Sequence, residues 1–441
     1  VSVTLEECGE LAAEKGLKNA WEMAATLASL MLPQIFRAGS VVFEVLFSAE
    51  YQGKLERLVA DLPKEVFFAS DSLGWVYQFW QAKRKEEINA SEVKIGEREL
   101  PAVTQLFTEP YMVNFLLDNS LGAWWAARRL NEAELTGANA EEELRSKAAI
   151  PGVPLEFLRF VKENGRWAPA SGTLPAWPDH LKDLKVLDPC CGSGHFLVAL
   201  FLMLVPMRMA MEGMSSREAV DAVLAQNLHG LELDRRCVEL AAFALALSAW
   251  RYPDAVGYRP LPEIHIACSG LAVTSKKEEW IDLGKGDNDL QVILEGLYYQ
   301  FTNAPVLGSL IDPGAKNFQG VVLRAKKNLQ AVDYLEAMLA EEKNDERVEM
   351  GVVAQGVVKA AAILSSRYHL VVTNVPYLSR GKQAPILKDF CQKTYPEAKP
   401  DLATVFLERC LKLCSEGGTT SIVLPQNWLF LTTTRSSGRS F

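Results

Sequence analysis

Leu184-Lys185-Val186-Leu187-Asp188-Pro189-Cys190-Cys191-Gly192-Ser193-Gly194-His195-Phe196-Leu197 is the stretch that decides the fold. It reads as a short apolar strand, an acidic residue at the strand's end, a tight turn of small residues and then an apolar helix. Two glycines in such a turn let the backbone approach a ligand closely, while free N–H groups and the helix N-terminus face the ligand's polar part. A plain strand-to-helix turn has no need of Asp-Pro and two glycines together. The dinucleotide fingerprint G-x-G-x-x-G fails at Leu197, where its third glycine belongs, which argues against a nicotinamide or flavin enzyme. The vicinal Cys190-Cys191 pair reads as loop packing rather than redox chemistry.

Downstream, short apolar strands alternate with helices, the pattern of a mostly parallel α/β sheet. Strands are predicted at 185–187, 228–233, 264–267, 369–373 and 420–424. The second ends Leu231-Glu232-Leu233-Asp234. A carboxylate at that place accepts ribose hydroxyls in nucleotide-binding folds, and Glu232 is the candidate. Asp234 reads as the N-cap of the helix that follows. Glu232 lies farther beyond Asp188 than the usual spacing of about 20 residues, which the extra helical stretch 215–227 explains. Between the third and fourth strands, 270–367 is an insertion expected to lie outside the sheet. It is predicted to be helical at 330–342 and 351–365, with the charged run 341–347 a solvated helix end or turn. The fourth strand delivers Asn374-Val375-Pro376-Tyr377 to the sheet's C-terminal edge, where open α/β sheets bind ligands.

Upstream, 1–100 is predicted to be mostly helical, with apolar residues at three- and four-residue steps over 11–36 and 41–62. A further helix is expected at 71–89. Residues 101–135 form a distinct unit in which Thr108 is expected to N-cap a helix with Pro110 in its first turn. Residues 136–183 read as a linker, and 431–441 as an irregular tail.

The chain has 441 residues with 49% hydrophobic and 23% charged, an ordinary globular composition that excludes a disordered or fibrous chain. Its net charge of −9 carries no basic nucleic-acid footprint. The eight cysteines and five histidines show no zinc-ligand spacing, so no metal is expected, and a reduced cytoplasmic protein is. The most apolar run, 196–207, is shorter than the ~20 residues of a bilayer span and is expected to break at Pro206. The missing initiator Met and the loss of apolar rhythm in the tail point to a truncated chain.

The Asp-Pro-x-x-Gly-Ser-Gly turn resembles the S-adenosylmethionine loop of methyltransferases. Joined to Asn374-Val375-Pro376-Tyr377, it gives a chemical logic. An amine conjugated to a heteroaromatic ring is a poor nucleophile because its lone pair is delocalised. Two acceptors, the Asn374 side-chain oxygen and the Val375 carbonyl, can hold both amine hydrogens and favour a more tetrahedral nitrogen, with Tyr377 stacked on the ring. Orientation and charge placement then do most of the work.

With these motifs in this order the sequence resembles the N6-adenine DNA methyltransferases, specifically the large enzymes of BREX phage-defence systems and the related type IIG restriction–modification enzymes. The resemblance runs from about 71 to 430. It rests on Asp188, Pro189, Gly192, Ser193, Gly194 and Phe196 in the first motif, and on Asn374, Pro376 and Tyr377 in the catalytic one. Val375 replaces the family's usual proline but still offers its carbonyl. Residues 104–111, Thr-Gln-Leu-Phe-Thr-Glu-Pro-Tyr, look like the element that closes over the methionine end of the cofactor, with Thr108 in it. Where methyltransferases often place an acidic or amide residue against the cofactor's adenine, this chain has Ser269 and Gly270. Residues 401–406 resemble the helix flanking the target pocket, and 421–430 the next strand and loop.

The resemblance implies a doubly wound, Rossmann-like α/β catalytic domain at 184–430 that binds S-adenosylmethionine and methylates adenine in double-stranded DNA. It implies a target-recognition domain beyond the end of this chain, further defence proteins as partners, and no membrane. RNA-guanine and protein-glutamine methyltransferases present the same motif to a planar amine or amide, and a methyltransferase-fold interaction subunit without activity fits as well. A metal-nuclease pattern is limited to Asp71 and Glu92-x-Lys94, with no strands framing it.

Overall fold

The computed structural model describes residues 4–31, 47–63, 65, 72–104, 108–314, 331–332, 334–335 and 345–426. Asp71, the middle of the 104–111 element (105–107), the 336–342 part of the predicted insertion helix, 427–430 and the tail 431–441 lie outside the described residues.

A hairpin, β1 (Phe160–Glu163) and β2 (Arg166–Pro169), precedes the central sheet. The sheet comprises β3 (Val186–Asp188), β4 (Leu228–Glu232), β5 (Ile266–Cys268), β6 (Tyr368–Asn374) and β7 (Cys414–Val423). Its order is β5-β4-β3-β6-β7, and every neighbouring pair is parallel. The chain steps outward from β3 to β4 and β5, then returns across the sheet to place β6 on the other side of β3. The C-terminal ends of β3 and β6 therefore flank the point where strand order reverses, which is where parallel sheets open a crevice. Asp188 ends one strand and Asn374 the other.

Successive strand residues point to opposite faces, and each face has its own core. Leu187, Leu231 and Val371 join an apolar cluster with Leu294, Val357 and Val405. Val186, Leu228, Leu370 and Val372 join another with Leu200, Val220 and Leu245. Coverage on both faces explains why β6 reads as an unbroken apolar run.

Strand β7 extends well upstream of the predicted 420–424. Its Ser-Glu-Gly-Gly segment lacks strand propensity, yet a register irregularity opposite Tyr368–Leu370, with Gly417 at φ 70°, keeps it paired to β6.

Helix His195–Glu212 runs straight through Pro206, against expectation. The proline is buried, and packing of the surrounding apolar side chains outweighs the lost backbone hydrogen bond. This helix and Arg347–Ser365 are long and apolar enough to cross a bilayer by length and composition. Here both contribute side chains to the cores beside the sheet.

Residues 136–183, read as a linker, fold into the helix Glu141–Ala148 and the β1–β2 hairpin, burying Leu144, Leu158 and Trp177 in the same core as the glycine-loop helix. The sequence reading missed this because each element is too short to establish a periodicity.

At the N-terminus, Gly16, left-handed at φ 69°, ends the first helix inside the helical run expected over 11–36, whose residues 32–36 lie outside the described ones. Helices Leu5–Lys15 and Ala20–Met31 pack on each other around Cys8, Ala12 and Met23. The helix expected at 71–89 is Ser72–Ala90. Thr108 does not cap its helix. The N-cap of Pro110–Leu117 is Glu109, with Pro110 in the first turn, because the Thr108 hydroxyl is engaged elsewhere.

Candidate active site

A cleft of about 1050 Å³, counting its open mouth, lies at the C-terminal edge of β3, β4 and β6. Its floor is the glycine loop, with Asp188, Pro189, Gly192, Ser193 and Phe196 all lining it. Gly192 has φ 52°, and its N–H donates to Glu232 Oε2 at 2.9 Å. Gly194 does not line the cleft. Its φ of 97° and its packing, with a Cβ there only 3.0 Å from Ala241 Cα, make it the contact that lets helices His195–Glu212 and Arg235–Arg251 approach.

Glu232 ends β4 at the cleft wall. Its Oε1 accepts the N–H groups of Leu233 (2.8 Å) and Asp234 (3.1 Å). Burial pushes its pKa up while these backbone bonds hold it down. The carboxylate is fixed in place and retains lone-pair capacity for incoming hydroxyls. Asp234 caps its helix as the sequence implied, accepting the Arg236 N–H at 2.9 Å.

Asp188 is almost fully buried and accepts the Cys190 N–H at 3.1 Å. Burial pushes its pKa up to about 7, with the Glu232 charge adding and the neighbouring Thr373 hydroxyl and Cys190 N–H opposing. Asp188 Oδ2 and Thr373 Oγ1 each lack a hydrogen-bond partner of good geometry. The Thr373 hydroxyl is the polar neighbour that holds the buried carboxyl's pKa down, and a positively charged ligand nearby would favour the ionised form further. All eight cysteines are free thiols, and burial raises Cys190 and Cys191 well above the ordinary thiol range, so neither is a nucleophile.

On the far wall, Asn374 and Pro376 reach the cleft together with Thr108. The Asn374 Nδ2 donates to Thr108 Oγ1 at 3.0 Å, and its Oδ1 accepts the Tyr377 hydroxyl at 2.8 Å. The amide is thus oriented from both ends. Tyr377 also reaches the Val423 carbonyl at 3.2 Å and does not line the cleft, so in this structure its ring is an orienting group rather than a stacking surface. Burial lifts its pKa to about 12, which keeps it a donor. Val375 is buried and does not line the cleft.

Ser269 lines the cleft, but its hydroxyl is taken. It lies 3.2 Å from the Ser309 hydroxyl, which donates to the Pro189 carbonyl at 2.6 Å. The insertion, expected outside the sheet, adds no strand among the described residues, yet its 306–310 segment forms a wall of the cleft. Arg409, fully buried on helix Leu402–Leu413, holds that wall from behind. Its guanidinium donates to the carbonyls of Ser309 (3.0 Å), Ile311 (2.6 Å) and Leu364 (3.4 Å) and pairs with Asp312 at 3.5 Å.

A third wall comes from helix Ser72–Ala90, with Gly74, Tyr77 and Gln78. Tyr77 donates to Asp234 Oδ2 at 2.7 Å. Nothing in the helix's own periodicity marks these residues, though the aromatic-rich start of 71–89 was a visible departure. Lys94 donates to the Gly381 carbonyl at 2.7 Å. Among the described residues no group of three or more His, Cys, Asp or Glu could hold a metal ion.

Residues 226–441 match the Eco57I restriction-modification methylase family. The chain is 28% identical over 412 residues to the adenine-specific methyltransferase PglX of Lacticaseibacillus casei (strain Zhang), covering 91% of this chain and 32% of that protein. It is 27% identical over 400 residues to the adenine-specific methyltransferase BrxX of Escherichia coli O9:H4 (strain HS), covering 86% and 31%. A shorter match, 26% over 134 residues, covers 28% of this chain and 11% of a putative type II restriction enzyme and methyltransferase of Methanocaldococcus jannaschii. The chain spans about a third of the length of the first two relatives. The chain is thus similar to the PglX and BrxX adenine-specific methyltransferases over most of its length, and its residues 226–441 are similar to the Eco57I restriction-modification methylase family.

Proposed function

We propose that this chain is the cofactor-binding and catalytic part of a site-specific DNA methyltransferase that methylates the N6 amine of adenine from S-adenosylmethionine, in phage defence or restriction–modification. Its sheet is then the doubly wound, Rossmann-like sheet of that enzyme class. The observation that carries the proposal is the junction of Asn374 with Thr108 in one cleft with the glycine loop and Glu232. Double-stranded DNA is the substrate, read by a recognition domain outside this chain. Other defence proteins are partners, the protein is cytoplasmic, and no membrane is involved.

S-adenosylmethionine supplies a methyl group on a positively charged sulfur. The residues present fit it: Glu232 would offer carboxylate oxygens to ribose hydroxyls, the Gly192 region close backbone approach, and the buried Asp188 carboxyl a site that favours positive charge. Asn374 Oδ1 keeps a lone pair beyond the Tyr377 bond for one N6 hydrogen of an adenine turned out of the duplex; the Val375 carbonyl, the proposed acceptor for the other, is buried in this structure and would have to be uncovered as the base enters. These bonds draw the nitrogen's lone pair out of the ring and aim it across the cleft, toward the wall formed by the glycine loop. No strong base is required before transfer, because the amine reacts neutral and the positively charged nitrogen that alkylation leaves is acidic enough to pass its proton to water.

Incubating the protein and DNA with methyl-labelled cofactor, followed by nucleoside analysis, is expected to yield labelled N6-methyldeoxyadenosine. Label appearing in RNA or in protein glutamine instead would replace the proposal with another amino methyltransferase.

Asp188 supplies a pH dependence. Its folded pKa of about 7 lies above the ordinary carboxylate value, so the folded chain holds a proton that the unfolded chain releases. Stability therefore falls as pH rises from about 4 to about 7. A cationic ligand favours the ionised form, so affinity for S-adenosylmethionine is expected to increase roughly tenfold between about pH 6 and pH 8. Calorimetric titrations across that range check this, and Asp188→Asn should flatten the profile. An unchanged slope in the variant would assign the dependence to another group.

A further inference from the structure

We infer that Gln78, on the N-terminal helix Ser72–Ala90, is a direct cofactor ligand that accepts a hydrogen bond from a ribose hydroxyl. This rests on the cleft being the S-adenosylmethionine site. Gln78 lines the cleft, and its Oε1 is buried from solvent without a hydrogen-bond partner. A buried acceptor left open costs stability, and such groups are kept where water or a ligand completes them. The residue before it is clasped to the ribose side of the site: the Tyr77 hydroxyl donates to Asp234 Oδ2 at 2.7 Å, two residues beyond Glu232.

That clasp is reinforced from both directions. The Gln81 amide donates to the Tyr77 hydroxyl at 3.2 Å, and the Arg236 guanidinium sits 5.3 Å from the Tyr77 ring centre while donating to Asp234. The helix is therefore anchored beside the end of β4, and Gln78 comes with it. A nucleoside seated on Glu232 has hydroxyl donors there, whereas the glycine-loop floor supplies mainly N–H groups. An amide oxygen on the opposite wall is the complementary acceptor. Helix Ser72–Ala90 thereby becomes part of the cofactor site.

Gln78→Leu removes the acceptor at similar size, and Gln78→Glu retains one. The probes are S-adenosylhomocysteine and 5′-methylthioadenosine, which share adenine and ribose but differ in the amino-acid end. Gln78→Leu is expected to weaken both by about fivefold to tenfold, with Gln78→Glu restoring most of the affinity. The unliganded Leu variant should melt no lower than the parent, since an unsatisfied buried acceptor has been removed. A merely structural role would lower the melting temperature instead. Unchanged affinity for both probes overturns the inference, and weakening of S-adenosylhomocysteine alone overturns the ribose assignment. Failure of the parent protein to bind either probe would sink the cofactor site itself rather than the role of Gln78.

Discussion

Replacing Asn374 with alanine is expected to lower methyl transfer to DNA on the order of 10³-fold while leaving affinity for S-adenosylmethionine close to the parent value. The asymmetry follows from where the side chain sits. Its amide bonds to Thr108 and Tyr377, while the expected cofactor contacts (Glu232, Gly192, Asp188) are held by bonds that do not involve it. Alanine removes the acceptor that orients the target amine and releases Thr108, while the contacts at Glu232, Gly192 and Asp188 stay in place. Asn374→Asp keeps an oxygen acceptor but loses the Nδ2 donation to Thr108, so it should retain more activity than alanine. Binding titrations and single-turnover methylation on the same preparations separate the two effects. A parallel loss of cofactor affinity and rate would mean Asn374 holds the cofactor instead.

Arg409→Met is expected to destabilise the fold by roughly 3–5 kcal/mol, and to raise the Kd for the cofactor in whatever fraction remains folded. The guanidinium is fully buried and contacts three backbone carbonyls from two parts of the chain, with Asp312 as its counter-charge. Methionine fills similar space but leaves those carbonyls without that donor, and the penalty is desolvation that nothing repays. The affected segment carries Ser309, whose hydroxyl ties the wall to Pro189 of the glycine loop. Ser309→Ala, which cuts that tie and the contact with the Ser269 hydroxyl but leaves the Arg409 bonds, should lose cofactor affinity with a much smaller drop in melting temperature. Denaturant unfolding of the Met variant within about 1 kcal/mol of the parent would show that the wall needs no such anchor.

The chemistry-bearing parts of the site that were legible in the sequence share a property: each is local. Asp188 to Phe196 is a strand, turn and helix in one stretch. Glu232 and Asn374 each end an apolar strand whose burial on both faces is written in its composition. What could not be read is what the chain brings together across long separations. Tyr77 meets Asp234 157 residues away, and Arg409 meets Ser309 100 residues away. No periodicity encodes such pairings. A hint was present in the second case, because helix Leu402–Leu413 buries Arg409 within a run of Val405, Phe406 and Cys410, and a buried cation demands acceptors somewhere.

Side-chain direction was equally hidden. Tyr377 was expected to stack on the base because of its place after Pro376, but its hydroxyl is drawn to Asn374 Oδ1 and the Val423 carbonyl. Ser269 occupies the expected position after β5, yet its hydroxyl serves the insertion wall through Ser309. Thr108 had the residue type and spacing of a helix cap, and the competing donor that claimed it, Asn374 Nδ2, comes from 266 residues away. For Ser269 and Thr108 the partner that engages the hydroxyl comes from a distant part of the chain, and for Tyr377 a short local bond to Asn374 is joined by a distant one to Val423.

The central claim is that a single cleft seats the methyl donor against the Asn374 amide. A crystal structure with S-adenosylhomocysteine tests it most directly. The account predicts the ribose on Glu232, the adenine toward the Leu307–Ser309 wall, and the thioether sulfur facing Asn374 across the opening. Ligand density elsewhere, or in this cleft with the sulfur turned away from Asn374, would contradict it.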